Sequence, residues 1–347
     1  MIAIQNVYYM LSYAFQVLNK QEYKNIATEE FDNTAELCAA ILSRGIAMQI
    51  KRGLGREYLP ITESRAALRG KLEISDSIKT GTILKKQMVC TYDNFSVNSY
   101  MNRIIKSTVM FLLRSDITKA RKKELRKLMV YFNDVEELDI HHINWGIQFN
   151  RNNQTYRMLI SICYLVIEGL LQTQSDGTTK LMDFLDEQRM HHLYEKFILE
   201  YYRREFPQIE ANPSQIPWQL DNDEKEFLPI MQSDIMLTYQ DKILIIDAKY
   251  YGQIMQVQFN KQILLSGNLY QIFTYVKNKQ TELDDQGTVS GMLLYAKTDE
   301  DIFPKNEYQM SGNRIAVRTL DLNEKFSLIA QQLDQIAERY LGVKKVA

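Results

Sequence analysis

The run from Ser233 to Tyr251, SDIMLTYQDKILIIDAKYY, restricts the fold more than any other stretch of this chain. Ile243 to Ile246 are four consecutive aliphatics, the pattern of a strand buried on both faces. Gln240-Asp241-Lys242 separates them from a second extended run that ends at Tyr239, so the two runs form an antiparallel hairpin. The aliphatic strand then delivers Asp247, Ala248 and Lys249. Charges at the end of a buried strand are costly unless they are paired or hold a metal. Side chains two apart on a strand share a face. Asp247 and Lys249 therefore point the same way, and Asp234 on the partner strand reaches that face.

Two carboxylates and one ammonium on one face suit phosphodiester hydrolysis. A hard divalent ion such as magnesium, with manganese as an alternative, takes one or two carboxylates plus waters and substrate phosphate. Asp234 and Asp247 supply the carboxylates, and the backbone carbonyl of Ala248 is a third candidate ligand. Lys249 is placed to orient the nucleophilic water or to stabilise the developing oxyanion. An acid-x-base triplet alone recurs by chance among 43 acids and 42 bases. The hairpin, the upstream acid and the aliphatic strand carry the assignment, with a structural ion pair as the alternative.

Around this hairpin the chain reads as α/β. Helical spacing marks the segment from Val7 to Leu18, about 33–51, a helix starting near Ser99, Tyr156 to Leu171 and Leu181 to Glu205. A hairpin or a pair of extended arms is expected over roughly 57–75, and QMVCTYDNFSVN reads as a strand into a loop. Beyond the first hairpin come helix SGNLYQIFTYVKNK, strand TVSGMLLYA, a short β pair around Tyr308 and Arg318, and a last helix over 323–341. The polar tract QTQSDGTTK is the clearest linker, so domains are expected at 1–175 and 181–347.

Other classes are disfavoured. The 42 basic and 43 acidic residues nearly cancel, which excludes a uniformly basic coat but not a local basic groove. Cys38, Cys90 and Cys163 are far apart and include no C-x-x-C pair, which argues against a disulfide framework or a zinc ribbon. No cation precedes Lys20, so the n-region of a signal peptide is missing. The most apolar run, Met158 to Leu171, contains Glu168 and is too short to cross a bilayer. A cytoplasmic protein without a membrane partner is expected.

Ser233-Asp234 with Ile246-Asp247-Ala248-Lys249 resembles the P-D…(D/E)-x-K signature of restriction-type nucleases, with Ser233 where the proline stands. Gln271 and Tyr275 match the Q-x-x-x-Y helix of the RecB-like branch, and Glu195 sits where such nucleases often place an acid on the first core helix. IQNVYYMLSYAF, LRGKLEI, CTYDNFSVNSYMNRIIKST and LLYAK extend the likeness over nearly the whole chain. Together they look like the McrC family, nuclease subunits of McrBC modification-dependent restriction systems. The resemblance implies a C-terminal nuclease core of mixed sheet flanked by helices. A mainly helical N-terminal domain with a β finger would precede it, engage an McrB-like AAA+ GTPase ring and stimulate GTP hydrolysis. It also implies double-stranded DNA with modified cytosine as substrate, and GTP used by the partner and not bound here. No G-x-x-x-x-G-K-[ST] motif is present: Gly70-Lys71 is followed by Leu72. A self-sufficient RecB-like nuclease and a silent AAA+ activator are the alternatives.

Three further patterns are open. Arg52, Arg56, Arg65 and Arg69 read as a polar finger entering the partner ring, or as a solubilised loop, and Asn98, Asn102 and Arg103 are candidates for the same surface. ITKARKKELRKLM holds six basic residues from Lys119 to Lys127, followed by an acidic stretch from Asp134 to Asp139. The two read as solvated faces that neutralise each other, with a phosphate-contacting or partner-contacting helix as the alternative. His141-His142 and His191-His192 read as structural or surface residues, because adjacent histidines point apart.

Overall fold

The computed structural model describes the chain except residues 1–2, 16–17, 19–22, 24–25, 27–28, 30, 32, 151–152, 176–186, 223, 251–254, 259–260, 285, 298–303 and 346–347. The chain forms two compact units, residues 1–34 with 180–347, and residues 35–179. The expected first domain beginning at residue 1 is corrected here. Helix α1 (Ile4–Ala14) belongs to the C-terminal unit, where Tyr9 stacks on Phe326 at 4.4 Å between ring centroids. Asn6 Nδ2 donates to the carbonyls of Leu322 and Glu324, both at 2.7 Å.

The unit of residues 35–179 holds α2 (Thr34–Arg52), β1 (Glu57–Arg65), β2 (Lys71–Leu72), α3 (Ile74–Lys79), β3 (Met88–Ser96), α4 (Tyr100–Leu112), α5 (Lys119–Met129) and α6 (Gln154–Ser175). The hairpin expected within 57–75 does not close on itself. Strands β1 and β2 both pair antiparallel with β3, giving the order β1-β3-β2. Of the expected linker, residues 172–175 continue α6 and residues 176–180 lie outside the described residues. Asn102 is fully buried and its amide donates to the carbonyls of Gly55 and Val97, both at 2.8 Å. It is a structural latch, and the reading of it as a surface residue is corrected. The acidic stretch does not neutralise α5: Glu136 pairs with Arg103 and Asp139 with His142.

The other unit adds α7 (Glu187–Glu205), β4 (Glu210–Asn212), β5 (Gln215–Ile216), β6 (Met231–Gln232), β7 (Ile235–Tyr239), β8 (Lys242–Lys249), β9 (Met255–Gln258), β10 (Lys261–Leu264), α8 (Ser266–Glu282), β11 (Thr288–Ala296), β12 (Asn306–Met310), β13 (Asn313–Leu320) and α9 (Phe326–Leu341). Six strands form one mixed sheet in the order β12-β13-β11-β8-β7-β4. Its centre, β8, β11 and β13, is parallel, and β7 runs antiparallel to β8. This is the expected α/β class. The hairpin of β9 and β10 was not anticipated from the sequence. On one sheet face Ile243, Ile245, Leu293, Tyr295 and Val317 pack with Ile272, Tyr275 and Val276 of α8. Helices α7 and α9 pack against β8 as well. Among the described residues no helix is long and apolar enough to cross a membrane.

Candidate active site

Strand register builds the site. Ile235 faces Ile246 across the β7–β8 pair, so Asp234, one residue before β7, stands opposite Asp247. Directly opposite residues on antiparallel strands project from the same face. Asp234 Oδ2 accepts a hydrogen bond from the Ala248 backbone N–H at 3.0 Å. In an extended strand a residue's N–H and C=O leave on the same edge, so the Ala248 carbonyl is directed along that edge too. Ser233, where the signature has proline, donates its own N–H to the Ser214 carbonyl at 3.0 Å. A proline would forfeit that bond, which accounts for the departure.

Asp247 is 1% exposed and Lys249 7%. Lys249 Nζ lies 2.9 Å from Asp247 Oδ1. Apart from that ion pair, neither Asp247 oxygen accepts a well-formed hydrogen bond among the described residues. Burial pushes the Asp247 carboxyl up to about 8; Lys249 counteracts this and Asp234 reinforces it. A buried carboxylate with unused lone pairs beside a second carboxylate fits a divalent cation better than it fits a stabilising ion pair. Among the described residues no three His, Cys, Asp or Glu side chains form a ready-made cage. Two carboxylates without a cage suit an ion that keeps waters.

Residues of α7 and α8 lie beside Lys249 and Asp234. Lys249 Nζ donates to Gln271 Oε1 at 3.5 Å, and Gln271 Nε2 donates to the Tyr275 hydroxyl at 3.1 Å. Burial, then the Asp234 charge, raises the Glu195 carboxyl above its ordinary range. His191 Nε2 and His192 Nδ1 each lie 3.2 Å from a Glu195 oxygen. In the sequence His191 and His192 read as structural or surface residues because adjacent histidines point apart, yet both rings reach the one carboxylate. Burial lowers the pKa of His191, and it feels Asp234 and Lys249 as well, so it belongs to the rim of this site. The signal was its i, i+4 spacing to Glu195 on one helix face. Tyr250 is half-buried, and Tyr251 lies outside the described residues.

Helix α8 reaches this position because β11 has a glycine beneath it. A Cβ built on Gly291 would sit 2.7 Å from Val276 Cγ2 and 2.8 Å from Ile272 Cγ1. Gly291→Val is expected to push α8 off the sheet, at the roughly 1–3 kcal/mol typical of overpacking. Thermal unfolding should show a midpoint several degrees lower, at about 2–4 °C per kcal/mol for a unit of this size. An unchanged midpoint would mean that α8 is not held by this contact.

The four arginines lie in the other unit and divide into two groups. Arg65 and Arg69 both cover the Tyr92 ring, at 5.1 and 4.4 Å from its centroid. Arg56 lies over Phe95 at 5.8 Å, near the opposite end of β1, and Arg52 is exposed at the end of α2. The surface is less polar than expected: Leu68, Ile74, Ile78, Ile83 and Leu84 are exposed beside Arg65 and Arg69, Leu84 at 91%.

A family model described as McrBC 5-methylcytosine restriction system component matches residues 4–296. The chain is 28% identical to the type IV methyl-directed restriction enzyme EcoKMcrBC of Escherichia coli (strain K12), over 98% of each chain. A solved structure, the refined half-complex from a tetradecameric assembly of Thermococcus gammatolerans McrB AAA+ hexamers with bound McrC, superposes with a TM-score of 0.51 at 18% identity. That match covers 96% of this chain and 76% of the other, and at such identity the likeness is one of fold. The family match spans most of the sequence, both strands of the carboxylate hairpin included, and the chain belongs to the family of McrBC 5-methylcytosine restriction system components.

Proposed function

We propose that the chain is the metal-dependent endonuclease subunit of a GTP-driven, modification-dependent restriction complex, with a PD-(D/E)xK core of the RecB-like type. The observation that carries this reading is Asp234 opposite Asp247 with Lys249 Nζ 2.9 Å from Asp247 Oδ1. Asp234, Asp247 and the Ala248 carbonyl would hold magnesium, or manganese in its place. Such an ion, when bound, lowers the pKa of a water and offsets charge on phosphorus. Lys249, braced by Gln271 and through it by Tyr275, presents an ammonium to the attacking water or to the developing oxyanion. Glu195 keeps a proton longer than an ordinary carboxyl and can hold it beside Asp234.

The chain's McrC-containing structural neighbour is bound to McrB AAA+ hexamers, and a ring of that kind is the proposed partner here. Arg65, Arg69 and the exposed apolar side chains around them are suited to docking it. Reversing Arg65 and Arg69 to Glu is expected to weaken stimulation of the partner's GTPase by about tenfold or more, from the roughly 2 kcal/mol of a well-placed interfacial arginine. GTP turnover titrated with wild type and variant is the measurement, and full stimulation by the variant removes these arginines from the contact.

The function itself is tested by purifying the full chain with its McrB-like AAA+ partner. Cleavage of plasmid DNA is then assayed with and without cytosine methylation, GTP and magnesium. Cutting should require all four: partner, methylation, GTP and metal. Robust cutting of unmodified plasmid by this chain alone at physiological salt would instead indicate a self-sufficient nuclease.

A further inference from the structure

Helix α5 carries a stripe of cations along one side. Lys119, Lys122, Lys123, Arg126 and Lys127 follow the i, i+3, i+4, i+7, i+8 spacing of a single helix face. At 1.5 Å per residue the stripe is about 12 Å long. The rest of the helix is anchored. Leu125 is fully buried, and Arg121 Nε lies 3.2 Å from the buried Glu36 carboxylate. Thr118 donates its backbone N–H and its hydroxyl to the same carboxylate, at 2.8 and 3.1 Å. Lys106 Nζ donates to the Phe132 and Val135 carbonyls and pins the chain beyond the helix. With that side fixed, Lys119, Lys123, Arg126 and Lys127 are exposed and Lys122 is half-buried.

The five cations have no carboxylate partners among the described residues. Three of the nearby acids are engaged elsewhere, Glu124 with Arg121, Glu136 with Arg103 and Asp139 with His142, and the exposed Asp134 and Glu137 form no ion pair with the stripe among the described residues. The stripe also works against its own helix. Lys119 with Lys123, Lys122 with Arg126, and Lys123 with Lys127 are like-charge i, i+4 pairs that repel. The first turn carries cations where the helix dipole favours anions. A polyanion along the stripe would relieve both terms.

A protein partner is the weaker candidate, because interface centres are depleted of lysine and enriched in aromatics. No apolar side chain interrupts the stripe between Lys119 and Lys127, and the exposed Val130 and Tyr131 lie only past its end. Lysine and arginine in such a row are the usual contacts of the phosphate backbone. We propose that α5 binds the sugar–phosphate backbone of duplex DNA through Lys119, Lys122, Lys123, Arg126 and Lys127, independently of base sequence. The proposal rests on the reading of the chain as acting on DNA, but it concerns binding and not cutting.

The test uses the full chain and a short, labelled, unmethylated duplex, followed by fluorescence anisotropy without divalent ions at about 50–200 mM salt. The variant combines Lys122→Gln, Lys123→Gln, Arg126→Gln and Lys127→Gln. A charge-matched control neutralises the exposed Lys225, Lys305, Lys325 and Lys344. Loss of four phosphate contacts should flatten the log–log salt slope by about three to four units. Affinity at the lowest salt should drop at least tenfold in the variant and hold in the control, with the variant's unfolding midpoint no lower than wild type, since losing the like-charge pairs acts to raise it. Equal slopes for variant and wild type would overturn the proposal, as would no measurable DNA binding by the wild type. So would intact DNA binding with lost capture of the AAA+ protein, which would make the stripe a protein contact. Cleavage by the wild-type chain with its AAA+ partner, scored separately, keeps the two readings apart: a stripe variant that loses DNA binding supports the proposal whether or not the wild type proves to be a nuclease.

Discussion

Replacing Asp234 with Asn is expected to slow DNA cleavage by about a thousandfold or more and to leave the metal-free fold at least as stable as wild type. The rate loss follows from the several kcal/mol of charge stabilisation that a bound metal supplies, at about 1.4 kcal/mol per factor of ten. The stability follows from what the charge does in the fold. The Asp234 carboxylate raises both Asp247 and Glu195, and Asn keeps an oxygen to accept the Ala248 N–H. Asp247→Asn should behave alike. Burial pushes the Asp247 carboxyl up to about 8, so below that pH the metal-free fold already holds a neutral side chain beside Lys249, and Asn costs it little. Both variants should fail to cut.

The pH dependence has a definite sign. Asp247 is pushed up to about 8 by burial first, with Asp234 adding and Lys249 opposing. The folded state therefore keeps a proton that the unfolded chain releases near 4. Metal-free stability should fall as pH rises from about 4 through about 8, and level off above. Asp234→Asn should make that fall shallower and end it at lower pH. Magnesium, which must displace the proton, should raise the wild-type unfolding midpoint more at pH 9 than at pH 6. Unfolding scans across this range, with and without magnesium, check each statement. A wild-type cutting rate in either variant would remove the pair from the site.

The hairpin was legible in the sequence because its rules are local. Four aliphatics fix the buried strand, and the two-residue period fixes the shared face of Asp247 and Lys249. The register came from the structure: Lys242, read as part of the turn, pairs with Tyr239, and that shorter turn sets Asp234 opposite Asp247. Gln271 and Tyr275 were singled out by the resemblance to the Q-x-x-x-Y helix, because i, i+4 spacing alone marks only a shared helix face. What failed depended on distant partners. Strand β1 could have closed on the segment just after it, yet it pairs with β3, beyond α3. Residues 1–34 join the C-terminal unit through contacts such as Tyr9 with Phe326, which no window along the chain can contain. The role of Gly291 depends on α8 lying over β11, and it became visible only when the parallel order of β8, β11 and β13 was known. The α5 run was misjudged because opposite charges close in sequence were taken to meet, whereas Glu136 pairs with Arg103 and Asp139 with His142.

Lys249→Met should separate binding from chemistry. Methionine fills similar volume in a site that is 7% exposed, so the change removes a charge without opening a large cavity. Turnover should fall by about a hundred- to a thousandfold, the usual loss of one transition-state electrostatic contact. Metal binding should not fall with it, because an ammonium repels a divalent cation held by Asp247 only 2.9 Å away. The proton complicates this in a predictable way. Lys249 lowers the Asp247 carboxyl, so its removal raises that carboxyl further and strengthens competition from the proton. Calorimetry should therefore find magnesium affinity equal to or tighter than wild type at pH 9, and weaker at pH 6. Gln271 should lose its partner and become more mobile, while Tyr275, 9% exposed in the α8 core, stays in place. If the variant cuts at the wild-type rate but has lost magnesium at pH 9, Lys249 organises the metal site and takes no part in the chemical step.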